Sequence, residues 1–336
     1  MDVVRSWRDI PPALKGAVLA IGNFDGVHHG HQAVLSAAKR IAVAEGRRAG
    51  AVVFEPHPRE FFAPGKPFFR LTPLPVKLEL LEALGLDQTF VLDFDKALSS
   101  LPAETFASDV VGDSFGASHV VVGYDFTYGK GRAGNVEQLA RLGKAAGFGL
   151  DVVAQVAMEG GVTFSSSTIR DYLRQGEVRA AAEQLGYWWR ARGKVGKGAG
   201  RGKDLGFPTL NFKLLPGQDV CHGIYAMRVH HAGKRYHAAG YVGPRPTFGP
   251  DEPVLEAYIL DFEGDLYGEE VEVEFIDFLR PDHAFDSTDA LAAQMAQDCA
   301  KARAVLQAVD DDDPMRRFTL GAALADRALD CGKAGC

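Results

Sequence analysis

One change of hydrophobic pattern, near residues 186–192, divides this chain into two different kinds of fold. Before it, short β-branched runs alternate with amphipathic stretches. AVLAIGNF (17–24), AVVFE (51–55), QTFVLDF (88–94), HVVVG (119–123) and LDVVAQV (150–156) read as strands, and residues 30–46, 76–85, 102–115 and 135–147 as helices. Strand followed by helix, repeated, predicts a parallel sheet covered on both faces. A helix pair follows near 166–185. Beyond it, LNFKLL, IYAMRVHH, KRYHAAGYVG, LEAYILDF and EVEVEFIDFL are short strands broken by glycine and proline, the pattern of a small all-β barrel or sandwich. A helix at about 287–308 carries an apolar stripe, and the acids Asp310–Asp313 before Pro314 should end it. The expected division is 1–185, 186–310 and an appended tail, 311–336, and no internal repeat is found.

Composition narrows the class. At 336 residues, with 46% hydrophobic and 24% charged side chains, the chain can bury the cores of two domains. The 37 Lys and Arg against 44 Asp and Glu leave a charge of −7, which argues against a surface built for nucleic acid or anionic lipid. The four cysteines, Cys221, Cys299, Cys331 and Cys336, form no CxxC pair, so neither a zinc ribbon nor a disulfide framework is implied. No basic leader opens the N-terminus, and the run Ala17 to Ile21 is too short to span a membrane. A cytoplasmic protein is expected.

Ligands of such a parallel sheet collect beyond the carboxyl ends of its strands. There the sharpest local signal occurs: GNFDGVHHGHQ (22–32), a strand end, a glycine turn and a helix start, with His28 and His31 three apart on one side of the first turn. Backbone N–H groups and the helix dipole favour an anion there, and imidazole donors suit a transferring phosphate. FSSSTIRDYL (164–173) sets Ser165, Ser166 and Ser167 before a helix with Arg170 in its first turns, either as plain capping or as a phosphate contact. In FEPHP (54–58), His57 reads as a turn residue or a ligand contact. In GYDFTYGKGRAG (123–134), Lys130 and Arg132 are a solvated loop or reach phosphates. In the second module, GKVGKGAGRGKDLGFPTLNF (193–212) holds four basic residues among six glycines without interleaved aromatics, which suits phosphates better than nucleic acid. It is not a Walker A loop.

Together these segments resemble the bacterial bifunctional riboflavin kinase/FAD synthetase family, in order, from about residue 17 to 308 and in at least six motifs. The first is similar to GxFDGxHxGH, and the others to SSTxxR, FxPHP, GxDFxFGxGxxG and GxVxxGxxxGxxLGFPTxN. YVGPRPTFG (241–249) and residues 255–280 are similar to IGxRPTF and ExHxLDFxxDLYG. The resemblance implies a Rossmann-like nucleotidylyltransferase domain, then a β-barrel kinase domain with a C-terminal helix. It implies that MgATP phosphorylates riboflavin to FMN and that ATP adenylylates FMN to FAD, releasing pyrophosphate.

On that resemblance His28, His31 and Glu256 are catalytic. Gly22, Phe24, Asp25, Gly26, Ser165, Ser166, Arg170, Gly198 and Gly202 bind nucleotide. Pro56, Pro58, Asp125, Phe126 and Arg280, with Phe285 nearby, face the flavin, and Thr209 and Asn211 hold magnesium. Departures are Ser167 for Thr, Tyr128 for Phe, Leu210 for Ala and Tyr258 for His, with Lys197 and Ala199 where His and an acid are common. Residue by residue, Glu256 also reads as an ordinary strand carboxylate. Riboflavin, FMN and ATP are the implied partners, with no nucleic acid or membrane, and weak self-association is left open. The rival readings are a monofunctional riboflavin kinase with a degenerate N-terminal domain, a nonenzymatic flavin-binding regulator, and a nucleotidylyltransferase for another phosphate ester.

Overall fold

The structure is a computed structural model that describes residues 1–157, 161, 163–196, 207–245 and 249–333. It divides into two compact units, Met1–Ser166 and the chain from Ser167 onward. Packing thus sets the division at the start of a helix, ahead of the 185/186 boundary expected from the change of pattern.

The first unit is a six-stranded parallel sheet in the order β1-β4-β3-β2-β5-β6. Its strands are β1 (Asp2–Val4), β2 (Val18–Ile21), β3 (Ala49–Glu55), β4 (Gln88–Asp93), β5 (His119–Gly123) and β6 (Gly149–Val153). Helices α1 (His29–Glu45), α2 (Pro58–Phe62) and α3 (Leu74–Ala83) follow β2 and β3. Residues 18–21 and 49–53 are buried without a break, as expected of strands covered on both faces. Leu19, Ile21, Val52, Phe90, Leu92, Val120 and Val122 pack with Phe106, Val110, Phe115, Leu139 and Phe148 in one core.

The chain leaves β2 toward β3 and β4, then returns to β5 on the other side of β2. The loops after β2 and β5 therefore flank the topological switch point, where such sheets bind ligands. The helix expected at 102–115 is corrected in detail. After α4 (Lys96–Ser99) and α5 (Ala103–Thr105), residues Phe106–Ser114 wind as a π-helix. Phe106, Ala107, Val110 and Val111 are buried there, so the wider turn keeps the apolar side chains on the sheet. Helix α6 (Val136–Ala146) completes this unit.

The second unit begins with α7 (Ser166–Gln175), whose first residue falls in the first unit, and α8 (Val178–Leu185). Then β7 (Arg190–Lys194), β8 (Thr209–Lys213), β9 (Gly223–His231), β10 (Lys234–Arg245), β11 (Gly249–Ile259) and β12 (Glu270–Arg280) form an antiparallel sheet in the order β7-β12-β9-β10-β11-β8. Its ends approach each other: Gly196 N–H donates to the Asn211 carbonyl at 2.8 Å, which nearly closes a barrel. Gly193 permits this approach, because a Cβ there would sit 2.2 Å from the Phe212 ring.

Helix α9 (Thr288–Asp311) packs on β9 and β10 and stops among the acids, as its sequence requires. The appended tail of the sequence reading is corrected. A 3-10 turn, Pro314–Arg317, and α10 (Thr319–Lys333) continue the packing, with Met315 2% and Leu320 0% exposed. Met315 joins Ala182, Trp188, Ala226, Ile276 and Leu306 in one cluster. The acids that end α9 are also ion-pair partners. Arg228, 2% exposed, donates to Asp310 at 2.6 Å and Asp313 at 2.7 Å. Trp188 Nε1 donates to Asp313 at 3.0 Å.

An Asp313→Ala protein therefore leaves a buried guanidinium and an indole N–H short of acceptors. Its barrel should lose on the order of 3 kcal/mol. For a unit of this size that is a calorimetric melting shift of about 6–12 °C.

The same network sets the acid limit. Burial alone would raise the Glu274 carboxyl, but His230, Arg190 and Arg228 outweigh it and hold it far below the usual range. Glu272 is likewise lowered, Arg190 and Arg192 overcoming burial. A carboxyl depressed in the folded state contributes stability above its unfolded value and loses it as pH falls. The second unit should hold a level melting temperature down to about pH 4.5, the ordinary glutamate value, and lose stability progressively below it. A melting series across pH 3–7 checks this.

Candidate active sites

In the first unit the site forms at the β2–α1 turn. Phe24 (φ 47°) and Val27 (φ 42°) are both in the left-handed region, a conformation that side chains with a Cβ adopt only at a cost and only when their surroundings enforce it. The enforcement is visible. Lys77 Nζ donates to the Asn23 carbonyl at 2.6 Å, and Gln32 Nε2 to the Val27 carbonyl at 2.8 Å. Gly26 N–H donates to Thr72 Oγ1 at 2.8 Å, and Ser166 Oγ to the Asp25 carbonyl at 2.8 Å.

His28 is the N-cap of α1, its Nδ1 accepting from His31 N–H at 3.4 Å. With Nδ1 as acceptor, the ring proton lies on Nε2. The rings of His28 and His31 stack at 3.7 Å and 21°. Gly30 allows the stack, since a Cβ there would lie 3.1 Å from the His28 ring. Phe24 meets the edge of His31 at 5.4 Å. Burial, then the neighbouring His28 and Lys77, pushes the His31 imidazole well below its ordinary value. A stacked imidazole pair at a helix N-terminus can receive and polarise a phosphate chain.

The loops beside this turn are braced rather than open. His57 caps α2, accepting from Arg59 N–H at 3.1 Å, and Glu60 returns the capping box. Glu55 accepts two bonds from Arg70, at 2.6 and 2.7 Å, and Glu60 also pairs with Arg70. The Glu55–Pro56 peptide is cis. At the carboxyl ends of β3 and β4, Phe54, Phe61, Phe62 and Phe94 meet edge to face, and Phe62 is 67% exposed. After β5, Asp125 is exposed and Phe126 stacks on Tyr128 at 5.7 Å. Tyr128 is buried, its hydroxyl without a hydrogen-bond partner. Burial and then Glu104 push its phenol up to about 12.

In the second unit, the β8–β11 register sets Asn211 directly opposite Glu256 and Thr209 opposite Tyr258. Directly opposed residues share a face, so all four side chains lie on one side of the sheet. Leu255, Ala257 and Ile259 fill the core, while Glu256 and Tyr258 are half-buried on the other face. Asn211 Nδ2 donates to the Thr209 carbonyl at 2.9 Å, and Phe207 meets Tyr258 edge-on at 5.2 Å. A carboxylate, a hydroxyl and an amide are thus gathered on two adjacent strands. Among the described residues, no three His, Cys, Asp or Glu side chains converge as a metal site.

A FAD synthetase family model matches residues 10–168, and a riboflavin kinase model matches residues 185–306. The bifunctional riboflavin kinase/FMN adenylyltransferase of Pseudomonas fluorescens is 35% identical over 306 residues, covering 91% of this chain and 98% of that protein. The chain belongs to the bifunctional riboflavin kinase/FMN adenylyltransferase family. Its counterpart in Escherichia coli strain K12 is also 35% identical, over 90% of this chain and 97% of that one. A crystal structure described as a macrolide-efflux protein from Streptococcus pneumoniae shares the fold, with a TM-score of 0.80 and 30% identity over 90% of this chain and 98% of that one. Among the described residues, no helix is long and apolar enough to cross a membrane.

Set against this family, several expected site residues hold the protein rather than face outward. The Asp25 carboxylate is 2% exposed and accepts from Leu71 N–H at 3.2 Å and Thr72 N–H at 3.0 Å, so it fixes the turn from inside. Arg280 donates to Asp298 at 2.6 and 3.0 Å and lies over the Phe285 ring at 5.9 Å, tying β12 to α9. Arg170 is buried on α7 in the second unit. Gly198 and Gly202 lie outside the described residues, as do Lys197 and Ala199. Lys77, Thr72 and the Phe61–Phe62 pair were not singled out from sequence. The aromatic pair two residues beyond FEPHP was a usable signal, whereas a lysine in an amphipathic helix is not.

Proposed function

We propose that this chain makes flavin cofactors in two reactions, one in each unit: ATP phosphorylates riboflavin to FMN, and a second ATP adenylylates FMN to FAD with release of pyrophosphate. The stacked His28–His31 pair at the N-terminus of α1 carries the reading, because it speaks against a degenerate N-terminal unit. In the FAD-forming reaction an FMN phosphate oxygen attacks the α-phosphorus of ATP and pyrophosphate leaves. His28 and His31 hold the triphosphate and stabilise the charge that develops, on the turn shaped by Gly22, Phe24, Asp25 and Gly26. Ser165 and Ser166 belong to the phosphate-binding set. Pro56, Pro58, Asp125 and Phe126 belong to the flavin side, to which the exposed Phe62 adds a flat apolar face suited to a fused ring.

In the kinase reaction Glu256 orients the terminal ribityl hydroxyl and accepts its proton while the γ-phosphoryl group transfers. Magnesium is the implied cation. It prefers oxygen ligands and keeps waters and substrate phosphates rather than a full protein cage, which suits the hydroxyl of Thr209 and the amide oxygen of Asn211. Bound there, it would neutralise phosphate charge. The loop that includes Gly198 and Gly202 supplies phosphate contacts, and Arg280 orders the chain near the flavin. The packing of α8, Met315 and α10 argues that the kinase module runs from about Ser167 through α10.

Chromatography of a riboflavin, ATP and magnesium reaction tests this. FMN should rise first, then FAD and pyrophosphate. FMN alone would reduce the chain to a kinase, and no turnover of either flavin would leave a binding protein.

A further inference from the structure

We propose that Lys77 is a positioning residue of the FAD-forming site: from helix α3 its buried ammonium holds the Asn23 carbonyl and so keeps the strained β2–α1 turn and the His28–His31 pair in working geometry. The inference rests on the reading of that pair as the phosphate-binding centre. Lys77 is 1% exposed, and its Nζ lies 2.6 Å from the Asn23 oxygen. Five residues ahead of it, Thr72 accepts from Gly26 and donates to the Asp25 carboxylate. The Arg70–Pro73 segment and the first turn of α3 are thereby tied to both ends of the Asn23–Gly26 stretch. This block includes Phe24 at φ 47° and leads directly to Val27 at φ 42°.

Packing alone would not call for a lysine here. Removing an ammonium from water is costly, and an apolar side chain of similar length would fill the same space without that cost. The groups that face it electrostatically come from every neighbouring segment: Asp25 in the turn, Glu55 at the end of β3, Glu60 on α2 and Arg70 before α3. His31 is faced by His28 and by Lys77. The cation therefore reaches the imidazole that receives phosphate, through space and through the turn it braces. Its field adds to burial in keeping His31 neutral.

The test uses the full-length chain and three variants: Lys77→Met, Lys77→Gln and Lys77→Arg. FMN formation from riboflavin, carried out by the other unit, should stay within about twofold in all three, and the dispersion of the first unit's amide NMR signals is the control that each variant is folded. FAD formation from supplied FMN should fall about 10- to 100-fold in the Met and Gln variants, mostly in kcat, because a small misplacement of reacting groups costs up to that much. Lys77→Arg should recover a large part of it. The NMR titration of the His31 ring protons supplies the readout that simple loss of packing would not move. Its midpoint should rise in the Met and Gln variants and stay near the wild-type value in the Arg variant.

Normal FAD formation in the Met variant overturns the proposal. So does an unmoved His31 midpoint in a folded Met or Gln variant. If Lys77→Met does not fold, Lys77→Gln, which remains a donor without charge, decides by the same two readouts. Failure of the underlying reading is distinguishable, because FAD formation would then survive His31→Ala whatever Lys77 does.

Discussion

A Glu256→Gln protein should bind riboflavin and ATP nearly as the parent does and make FMN about 10²–10⁴ times more slowly, the range that loss of a positioned general base commands. The substitution keeps shape and hydrogen-bonding reach while removing the ability to take a proton. The ribityl hydroxyl is a poor nucleophile, so phosphoryl transfer to it depends on an acceptor aligned with the departing proton. The β8–β11 ladder gives the physical ground. Glu256 stands opposite Asn211 and two residues from Tyr258, which stands opposite Thr209. Its immediate neighbours Leu255 and Ala257 point into the core, so Glu256 cannot rotate inward without exchanging faces. FAD formation from supplied FMN should be unchanged, since it uses the other unit. A Glu256→Asp protein, with the carboxylate drawn back by one methylene, should fall between the two. FMN formation near the parental rate in the Gln variant would leave Glu256 as a strand carboxylate and the base elsewhere.

Much of the fold was legible because it depends on pattern. Short apolar runs such as AVLAI and HVVVG, ended by glycine and alternating with helical patterns, read as strands covered on both faces, and the switch to glycine-broken strands marks the barrel. What escaped depends on tertiary partners. The three-residue β1 has no periodicity of its own and exists because Asp2–Val4 pair with Gln88–Phe90. The π-helical turn at Phe106–Ser114 follows from packing on the sheet, not from local propensity. The C-terminal segment read as a tail because it follows the acids and the proline that end the long helix. Asp310 and Asp313 instead meet Arg228, a strand residue 85 positions from Asp313.

The candidate sites divide in the same way. The His28–His31 spacing was readable, since a helix start fixes which side chains share a side. That Asp25 turns inward was not, because its acceptor role requires Leu71 and Thr72, which are distant in sequence. Arg280 was likewise assigned to the flavin without any way to see Asp298 from sequence.

Replacing either His28 or His31 by Ala should lower FAD formation by about 10²–10³, the usual effect of removing one donor aimed at charge that develops in the transition state. FMN formation should hardly change. The two histidines fail for different reasons, and the difference can be measured. His28 also caps α1 through its Nδ1, so part of its loss could come from a frayed helix start, worth about 1 kcal/mol. His28→Asn separates the contributions, because asparagine restores the cap but cannot reproduce an imidazole Nε2 donor. It should recover stability and leave most of the activity lost. His31 caps nothing; it is held by the stack on His28 and the edge of Phe24. Burial, then His28 and Lys77, hold its imidazole well below the ordinary value, so in the proposed role it would donate from a neutral ring rather than act as a fixed charge. Its loss should therefore weaken the chemical step more than it weakens ATP binding, with kcat falling further than KM rises. A variant of either histidine that lost FMN and FAD formation equally would refute the assignment of the two reactions to two separate sites.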